Sequence, residues 1–512
     1  MLGGSDRMGY LLAIIGTVLE HRLLLAGGVL LLGVVAAVVA RRLSVPVLVL
    51  FLGLGMLLGS DGPGGIYFDD ARLAREFGVV GLVAILFEGG LTARWQDLRR
   101  VAVPAFLLST VGVAVTTAVV AVAAHQLLDL AWAASFLLGA VVGSTDAAAV
   151  FSTLRFTTVR RRLAGLLGAE SGINDPTAVA LTLGFIAWLT EPAYGVGDLA
   201  ALLVRQLGLG LAIGVVLGVV AARLLPRLPL DLSPFAPVAS VASAAVAYGL
   251  ADAAGGSGFL AVYIVAVCIG NTRTPHRRTI VSFHEGLAFT AQVGLFVVLG
   301  LLVFPSELGS VAAASIALTA VLVFVARPLA VFASTTFLGF DLREKLFVSW
   351  AGLRGAVPIV LATFALSSGL TESDTIFNAV FFVVLLSALV QGLTLGPLAR
   401  RLGLASEQRP FYTAPFEVGA VRELGADIVE HVVQAGDRLV GVRVRETGLP
   451  RDSLVMLIVR DGVGVPPRGS TVLEVGDALY VMASESSRED IVELFEGWKE
   501  PPGVVGEAAG SD

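Results

Sequence analysis

Two pairs of polar side chains lie four residues apart in the stretch ESGINDPTAV. Ser171 pairs with Asp175 and Glu170 pairs with Asn174, and a spacing of four places each pair on one face of a helix. Carboxylate, hydroxyl and carbonyl oxygens are hard donors that suit an alkali cation. The stretch therefore has the residue types of a monovalent-cation site, although it lies inside an otherwise apolar run.

Five charged residues are predicted at membrane depth, where one charge costs at least about 2.5–3.5 kcal/mol on insertion scales. They are Asp175, Asp146 in GSTDAAAV, Glu88 in FEGGL, Arg327 in FVARPLA and Arg354 in AGLRGAVP. At about 1.5 Å per residue, Asp175 lies some 18 Å along its apolar segment and so near the bilayer centre. A cost of this size indicates a function or specific partners.

Structural interpretations of these residues stay open. Asp146 has the sequence context of a helix N-cap. Asp175 could also be an N-cap, with Pro176 at the first helical position. Glu170 and Arg354 would fit a buried structural ion pair. The cap interpretation is compatible with function, because a helix that begins in mid-membrane exposes its end to a transported ion.

Neither a resident metal nor a cofactor is expected. A single cysteine, Cys268, excludes a disulfide framework and a cysteine cluster. The histidines are scattered near predicted span ends and in the C-terminal part: His21, His125, His276, His284 and His431. No basic, aromatic-interleaved patch predicts nucleic-acid binding.

The elements that position these residues are predicted to be transmembrane helices. Of the 512 residues, 56% are hydrophobic and 15% are charged, and the mean hydropathy is +0.86, outside the range of soluble chains. The start of the chain lacks the pattern of a cleaved signal, so we expect a first span there. About thirteen apolar segments can cross a core of roughly 30 Å. Their centres lie near residues 31, 52, 85, 114, 142, 175, 212, 244, 264, 295, 322, 355 and 387.

Arginine and lysine occur mainly in alternate loops between these segments. Examples are Arg41 and Arg42, Arg160 to Arg162, and Arg400 and Arg401, whereas the intervening loops are mostly acidic. Cytoplasmic loops retain positive charge. The alternation predicts an N-terminus outside the plasma membrane, and a cytoplasmic C-terminus.

After Arg401 the chain becomes charged, with short runs of alternating Val, Leu and Ile. These runs predict strands closed by one amphipathic helix, SREDIVELFEGW, in a small soluble α+β module. The module resembles the RCK C-terminal (TrkA-C) domain in the stretches Gly436–Arg445, Val455–Gly462 and Leu473–Val481. Such domains commonly dimerise and sense small ligands, and no residue here identifies the ligand. We predict a transmembrane domain at 1–403, a linker at 404–415, the regulatory domain at 416–498 and a tail at 499–512.

The membrane part resembles the monovalent cation/proton antiporter-1 family. The resemblance rests on GSTDAAAV, ESGINDPTAV, GSGFLAVYIVAVCIGN, FVVLGLLV and SWAGLRGAVPIVLA, and is strongest to the bacterial potassium/proton antiporter branch, which also ends in a TrkA-C domain. It implies two inverted repeats, spans one to six and eight to thirteen, with spans five and twelve unwound and crossing. It also implies a homodimer embedded in lipid, in which a moving core domain works against a dimerising scaffold.

The resemblance also implies residue roles. Asp175 exchanges proton for cation; Asp146, Ser171 and the Thr145 carbonyl complete the oxygen shell; and Asn174 steadies the unwound segment. Glu170 and Arg354 form an ion pair between spans six and twelve. Glu88 assists through water, and Arg327 is a further accessory residue.

A physical mechanism for exchange follows from the residues themselves. Loss of water favours the neutral carboxyl group, whereas a cation at the same oxygens favours the ionised group, so proton and cation compete for Asp175. If the empty charged site cannot cross the membrane, only loaded forms move. Related antiporters with Asp-Asp have two titratable groups here, but Asn174 cannot titrate, so we predict electroneutral exchange of one proton for one cation.

Other functions share some of these features. An RCK-regulated potassium channel or uptake component would also carry the C-terminal module, but no TVGYG-like filter is present. The motifs of an intramembrane aspartyl protease are absent, and no enzyme activity is predicted. Oxygen ligands accept both K⁺ and Na⁺, and the C-terminal module favours K⁺ by resemblance only.

Overall fold

A computed structural model describes most of the chain. The described residues are 24–40, 42, 46–154, 159–228, 234–272, 274, 276–405, 426–450, 452–460, 463–484, 491, 494, 495, 497 and 498. The chain divides into two compact units, Met1–Arg409 and Pro410–Asp512. A further apolar stretch, from Tyr10 to Leu19, lies outside the described residues.

The first unit is helical throughout its described residues. Its helices are α1 (Leu24–Ala40), α2 (Val47–Leu58), α3 (Ala71–Thr92), α4 (Trp95–Leu107), α5 (Val113–Leu128), α6 (Trp132–Val141), α7 (Ala147–Thr153), α8 (Arg161–Thr190), α9 (Val196–Leu224), α10 (Ala236–Ala253), α11 (Gly258–Gly270), α12 (Arg277–Leu301), α13 (Pro305–Leu308), α14 (Ala312–Val321), α15 (Arg327–Thr335), α16 (Leu342–Trp350), α17 (Ala356–Ser367) and α18 (Ser373–Arg401).

These helices make the chain a polytopic membrane protein. Every predicted apolar segment coincides with a described helix or helix pair, and six helices among the described residues are long and apolar enough to cross a membrane on their own. The number of crossings stays a prediction. Large apolar side chains such as Leu24, Val204 and Phe337 are exposed on the outside, as lipid-facing residues must be.

Local capping signals fix several helix starts. The Asp70 carboxylate accepts the Leu73 backbone N–H at 2.9 Å at the start of α3. Asp341 and Glu344 form a capping box at the start of α16, with the Glu344 N–H donating to Asp341 at 2.7 Å. Such caps satisfy backbone donors that a helix start leaves free.

Two segments are interrupted in the middle, as predicted for spans five and twelve. Residues 142–146 separate α6 from α7, and residues 351–355 separate α16 from α17. The two interruptions cross, because the Asp146 N–H donates to the Leu353 carbonyl at 2.9 Å. A wide-turn π segment also precedes each interrupted span, at Leu108–Gly112 between α4 and α5 and at Leu322–Ala326 between α14 and α15. The matching order of irregularities fits two repeats.

The segment that carries ESGINDPTAV is continuous, which corrects one expectation. The helix α8 runs for 30 residues through Pro176, so Asp175 is not an N-cap and no helix restarts there. Pro176 has no N–H to donate to the Gly172 carbonyl, which normally costs about 3 kcal/mol. Neighbouring helices surround the middle of α8 and hold it in place, and the Thr177 hydroxyl donates to the Ile173 carbonyl at 3.0 Å.

The second unit is a four-stranded antiparallel sheet. Its strands are β1 (Ala426–Val432), β2 (Ser453–Arg460), β3 (Val463–Val465) and β4 (Ala478–Ser484), in the order β1-β4-β2-β3. Val455, Ile458 and Leu479 from the sheet pack with Ile491, Phe495 and Trp498. These last three have the spacing of one helix face, although the bounds of the predicted closing helix include residues outside the described ones. The α+β module is therefore confirmed.

Candidate cation site

Asp146 lies where the second halves of both interrupted spans begin. It is the N-cap of α7, and its Oδ1 accepts the Ala149 N–H at 3.0 Å. The backbone N–H groups of Ala148 and Ala356 also donate to this carboxylate. A Cβ added at Gly355 would collide with it. One negative charge thus faces the positive ends of α7 and α17.

Arg354 contacts the carbonyl groups that follow the C-terminal end of α6. Its Nη1 donates to the carbonyls of Gly143, at 2.9 Å, and Ser144, where α6 has just ended. Its backbone N–H donates to the Ser387 hydroxyl at 3.1 Å. Because the side chain is 1% exposed, it acts within the protein, on carbonyl groups that the interruption leaves without helical partners.

The buried ion pair of Glu170 differs from the prediction. Glu170 binds Arg327, with Nη1 to Oε1 at 2.5 Å and Nη2 to Oε2 at 2.9 Å, and not Arg354 as expected. Arg327 begins α15 directly after a π segment, from which its planar group reaches both carboxylate oxygens, whereas the Arg354 side chain is engaged by carbonyls. Arg354 still interacts electrostatically with both members of the pair. The pair joins α8 to α15.

Asp175 lacks such a partner. It is 5% exposed, and its buried Oδ1 has no hydrogen-bond partner in the structure. On the same helix, the Ser171 hydroxyl accepts the Ala147 N–H at 3.3 Å. Asn174 donates to the Thr145 hydroxyl at 2.7 Å, which ties α8 to the first interruption. The predicted role of the Thr145 carbonyl as a cation ligand stays a prediction.

A cavity of about 310 Å³ reaches these side chains. Among the predicted site residues, Asp175, Asp146, Ser171 and Glu88 line it, whereas Thr145, Asn174, Glu170, Arg327 and Arg354 are not among its lining residues. The cavity thus brings together the side-chain oxygens of Asp175, Asp146 and Ser171, three of the groups predicted to bind the cation. Thr145 and Asn174, also predicted to bind it, are joined to each other by a hydrogen bond.

The cavity lining also contains polar residues that the sequence analysis did not single out. Tyr263 from α11, Gln292 from α12 and Thr92 from α3 also line it. A lone amide in the apolar α12 was an available signal for Gln292. Tyr263 lies in the stretch GSGFLAVYIVAVCIGN, which supported the family resemblance. One tyrosine among apolar residues is typical of a side chain packed in a helical core.

Apart from Glu88, which also lines the cavity, the buried charged groups around the site leave one negative charge in excess when every group is ionised. Asp146, Glu170 and Asp175 oppose Arg327 and Arg354, while Glu88 stands apart on α3 and is repelled by Glu285. One proton or one monovalent cation restores balance. Within the described part of the chain, no cluster of three His, Cys, Asp or Glu side chains could hold a metal ion.

Comparison with family models gives two matches. The model described as "Sodium/hydrogen exchanger, transmembrane" matches residues 28–401. The model described as "TrkA-C domain" matches residues 428–496. Together these matches span nearly all of the first compact unit and about two-thirds of the second.

Individual relatives agree with the family models. The K(+)/H(+) antiporter NhaP of Alkalimonas amylolytica is 36% identical over 92% of this chain and 82% of its own. The K(+)/H(+) antiporter NhaP2 of Shewanella sp. (strain ANA-3) is 37% identical over 89% of this chain and 80% of its own. Among solved structures, the sodium proton antiporter MjNhaP1 of Methanocaldococcus jannaschii at pH 8 is 25% identical, with a TM-score of 0.68 over 75% of this chain and 99% of the other.

Proposed function

Because the chain belongs to the sodium/hydrogen exchanger family, and is therefore a cation/proton antiporter, we propose that Asp175 is the group at which proton and cation exchange. One observation carries this proposal. Asp175 is the deeply buried carboxylate of the site that lines the cavity and has an oxygen without a hydrogen-bond partner. A buried carboxylate without a counter-ion must take up a proton or a cation.

The cation's ligands are proposed to come from one interrupted span, at Thr145 and Asp146, and from the continuous helix α8, at Ser171 and Asp175. Ser171 and Asp146 line the same cavity as Asp175, and Thr145 is held close by Asn174. Glu170 with Arg327, and Arg354 with the Gly143 and Ser144 carbonyls, fix the geometry around this shell without binding the ion.

We propose exchange of one proton for one cation. Asn174 cannot titrate. Apart from Glu88, the site carries one negative charge in excess, so one proton or one monovalent cation balances it. The transported complex is then neutral with either ion, and alternating access moves no net charge across the membrane.

Potassium is the proposed physiological cation. Two relatives that match over 80% or more of their own length carry K(+)/H(+) antiporter in their names, and the chain has the TrkA-C domain. Sodium is the second candidate, since MjNhaP1 is a sodium proton antiporter. The alternative of a channel or uptake component gains no support from these matches.

Further parts of the proposal concern setting and regulation. We place the protein in the plasma membrane with its N-terminus outside and the C-terminal domain in the cytoplasm, as a homodimer. The proposed boundaries are 1–403, 404–415, 416–498 and 499–512, with a small ligand acting on the third segment. Potassium/proton exchange here would serve pH homeostasis and cell volume regulation.

Proteoliposome flux tests the proposal. The protein is reconstituted with a pH dye inside, and K⁺, Na⁺, Li⁺ and Rb⁺ are added in turn to one preparation. We expect saturable proton movement with K⁺ preferred and no dependence on membrane potential. Ohmic current without coupled proton movement would contradict antiport, and a preference for Na⁺ would overturn the potassium assignment alone.

A further inference from the structure

Tyr263 contacts the site from a different group of helices. It lies on α11, whose buried side chains share a hydrophobic cluster with α9, α10 and parts of α3 and α12. Asp175 lies on α8, whose buried apolar side chains belong to the larger cluster. The Tyr263 ring packs against Gly172, where an added Cβ would collide with ring carbons. The two groups of helices therefore meet beside the site.

The Tyr263 hydroxyl is in an unusual state. The side chain is 6% exposed, and its hydroxyl has no hydrogen-bond partner in the structure. Among the described residues that line the cavity, Tyr263 and Asp175 are the two with a buried polar atom lacking a partner. The hydroxyl also interacts electrostatically with Asp175.

A buried hydroxyl without a partner costs free energy. The cost is removed when a ligand brings the missing partner, and a phenol oxygen is a neutral hard donor that an alkali cation accepts. Asp175 needs a positive charge, and the Tyr263 oxygen in the same cavity lining needs a partner. A cation between them meets both needs at once.

We propose that Tyr263 supplies an oxygen ligand to the transported cation from α11, beside Asp175 on α8, which rests on the exchange at Asp175 proposed above. The ligand is shared between two groups of helices. When α8 moves past α11 in alternating access, Asp175 carries the cation and Tyr263 stays behind. When the site opens to this cavity, the cation has one ligand more than when the site opens to the other side of the membrane. The affinity of the site for the cation therefore differs between the two sides.

The test is Tyr263→Phe, which keeps the ring over Gly172 and removes only the hydroxyl. The apparent KM for K⁺ is measured at alkaline pH, where protons no longer compete, in vesicles of each orientation. We expect a rise of about fivefold on one side, an unchanged KM on the other, and a maximal rate near that of the parent. Tyr194→Phe is the matched control, because its hydroxyl is also buried without a partner but lies outside the cavity lining.

The outcomes separate three explanations. A KM equal to that of the parent on both sides at alkaline pH, with a rise only near neutral pH, would mean that Tyr263 merely donates a hydrogen bond to Asp175 and would overturn the ligand assignment. An equal rise on both sides would overturn the one-sided role. Absence of cation-dependent proton movement in the parent would instead refute the proposed function.

Binding can also be measured without transport. In detergent, K⁺ should raise the thermal midpoint of the full chain by mass action. Tyr263→Phe should need about fivefold more K⁺ for the same rise, and Tyr194→Phe should not. If Tyr263→Phe responds at parental K⁺ concentrations, the proposal is wrong.

Discussion

Two buried carboxylates of α8 lie five residues apart and have opposite environments. Glu170 is 1% exposed and bound through both oxygens by Arg327. Asp175 is 5% exposed and has an oxygen with no partner beside a cavity. Both carboxylates incur the cost of leaving water, but one is neutralised permanently and the other only by what the cavity delivers. Burial alone therefore does not distinguish the two carboxylates; the absence of a resident counter-ion is what supports Asp175 as the proposed transport site.

The largest expected effect is that of Asp175→Asn. An amide has nearly the same shape but cannot be ionised, so cation-dependent proton movement in proteoliposomes should be lost while the protein stays folded. Asp129→Asn is the matched control, because Asp129 is exposed with a φ of 52°, a conformation that Asn tolerates. Full exchange by Asp175→Asn would remove the distinction between the two carboxylates.

Breaking the other carboxylate's pair should affect stability. Arg327→Met leaves Glu170 buried without a partner, and we expect a loss of about 3–5 kcal/mol, measured by unfolding in detergent. Combining it with Glu170→Leu should restore most of the loss, because an apolar pair of similar volume is often neutral.

A double-mutant cycle tests which arginine is the partner. Glu170→Gln should couple strongly to Arg327→Met and weakly to Arg354→Met. The reverse order of coupling would favour the pair expected from the sequence.

Asn174→Asp sharpens the comparison by adding a second titratable group near Asp175. The variant can bind one more proton than the parent, so we expect its transport rate to depend on membrane potential when the potential is varied at fixed K⁺ and H⁺ gradients. Asn174→Ser is the matched control, because it also removes the amide that donates to Thr145 but adds no acid. A potential-independent Asn174→Asp would refute the account of stoichiometry.

The smallest effect concerns a paired carboxylate outside the membrane. Arg460 donates to both oxygens of Asp477 at 2.8 Å, and this hydrogen bonding holds the pKa of Asp477 below its usual value. The stabilisation is complete above the unfolded-state pKa, near 3.9, and is lost as pH falls through the folded-state pKa.

Asp477→Asn tests this dependence. At neutral pH the variant should be less stable by about 1–3 kcal/mol, and the difference should shrink toward acid pH. Glu446→Gln serves as the control for loss of a carboxylate in the same unit, because the Glu446 side chain is 51% exposed. A stability difference that stays constant from neutral to strongly acid pH would contradict the expected sign of the dependence.

Much of the fold followed from sequence because its signals are local. Apolar segments of adequate length predicted the helices, and Asp146 among small residues predicted a cap in mid-membrane. Alternating Val, Leu and Ile predicted the strands of the C-terminal module. Each depends on residues that are neighbours along the chain.

The errors arose where distant packing decides. Glu170 and Arg327 are 157 residues apart, and no local pattern distinguishes Arg327 from Arg354 as the partner. Pro176 predicted a helix start, but tertiary contacts keep α8 continuous. Tyr263 was missed because its importance depends on what α11 faces.

The central claim is that proton and cation compete for Asp175, and the apparent KM for K⁺ as a function of pH tests it most directly. In proteoliposomes the KM should rise as pH falls, approaching about tenfold per pH unit once the protonated carboxyl predominates, while the maximal rate at saturating K⁺ stays constant. A KM that does not change with pH, accompanied by a maximal rate that does, would place the proton on a different group and contradict the account.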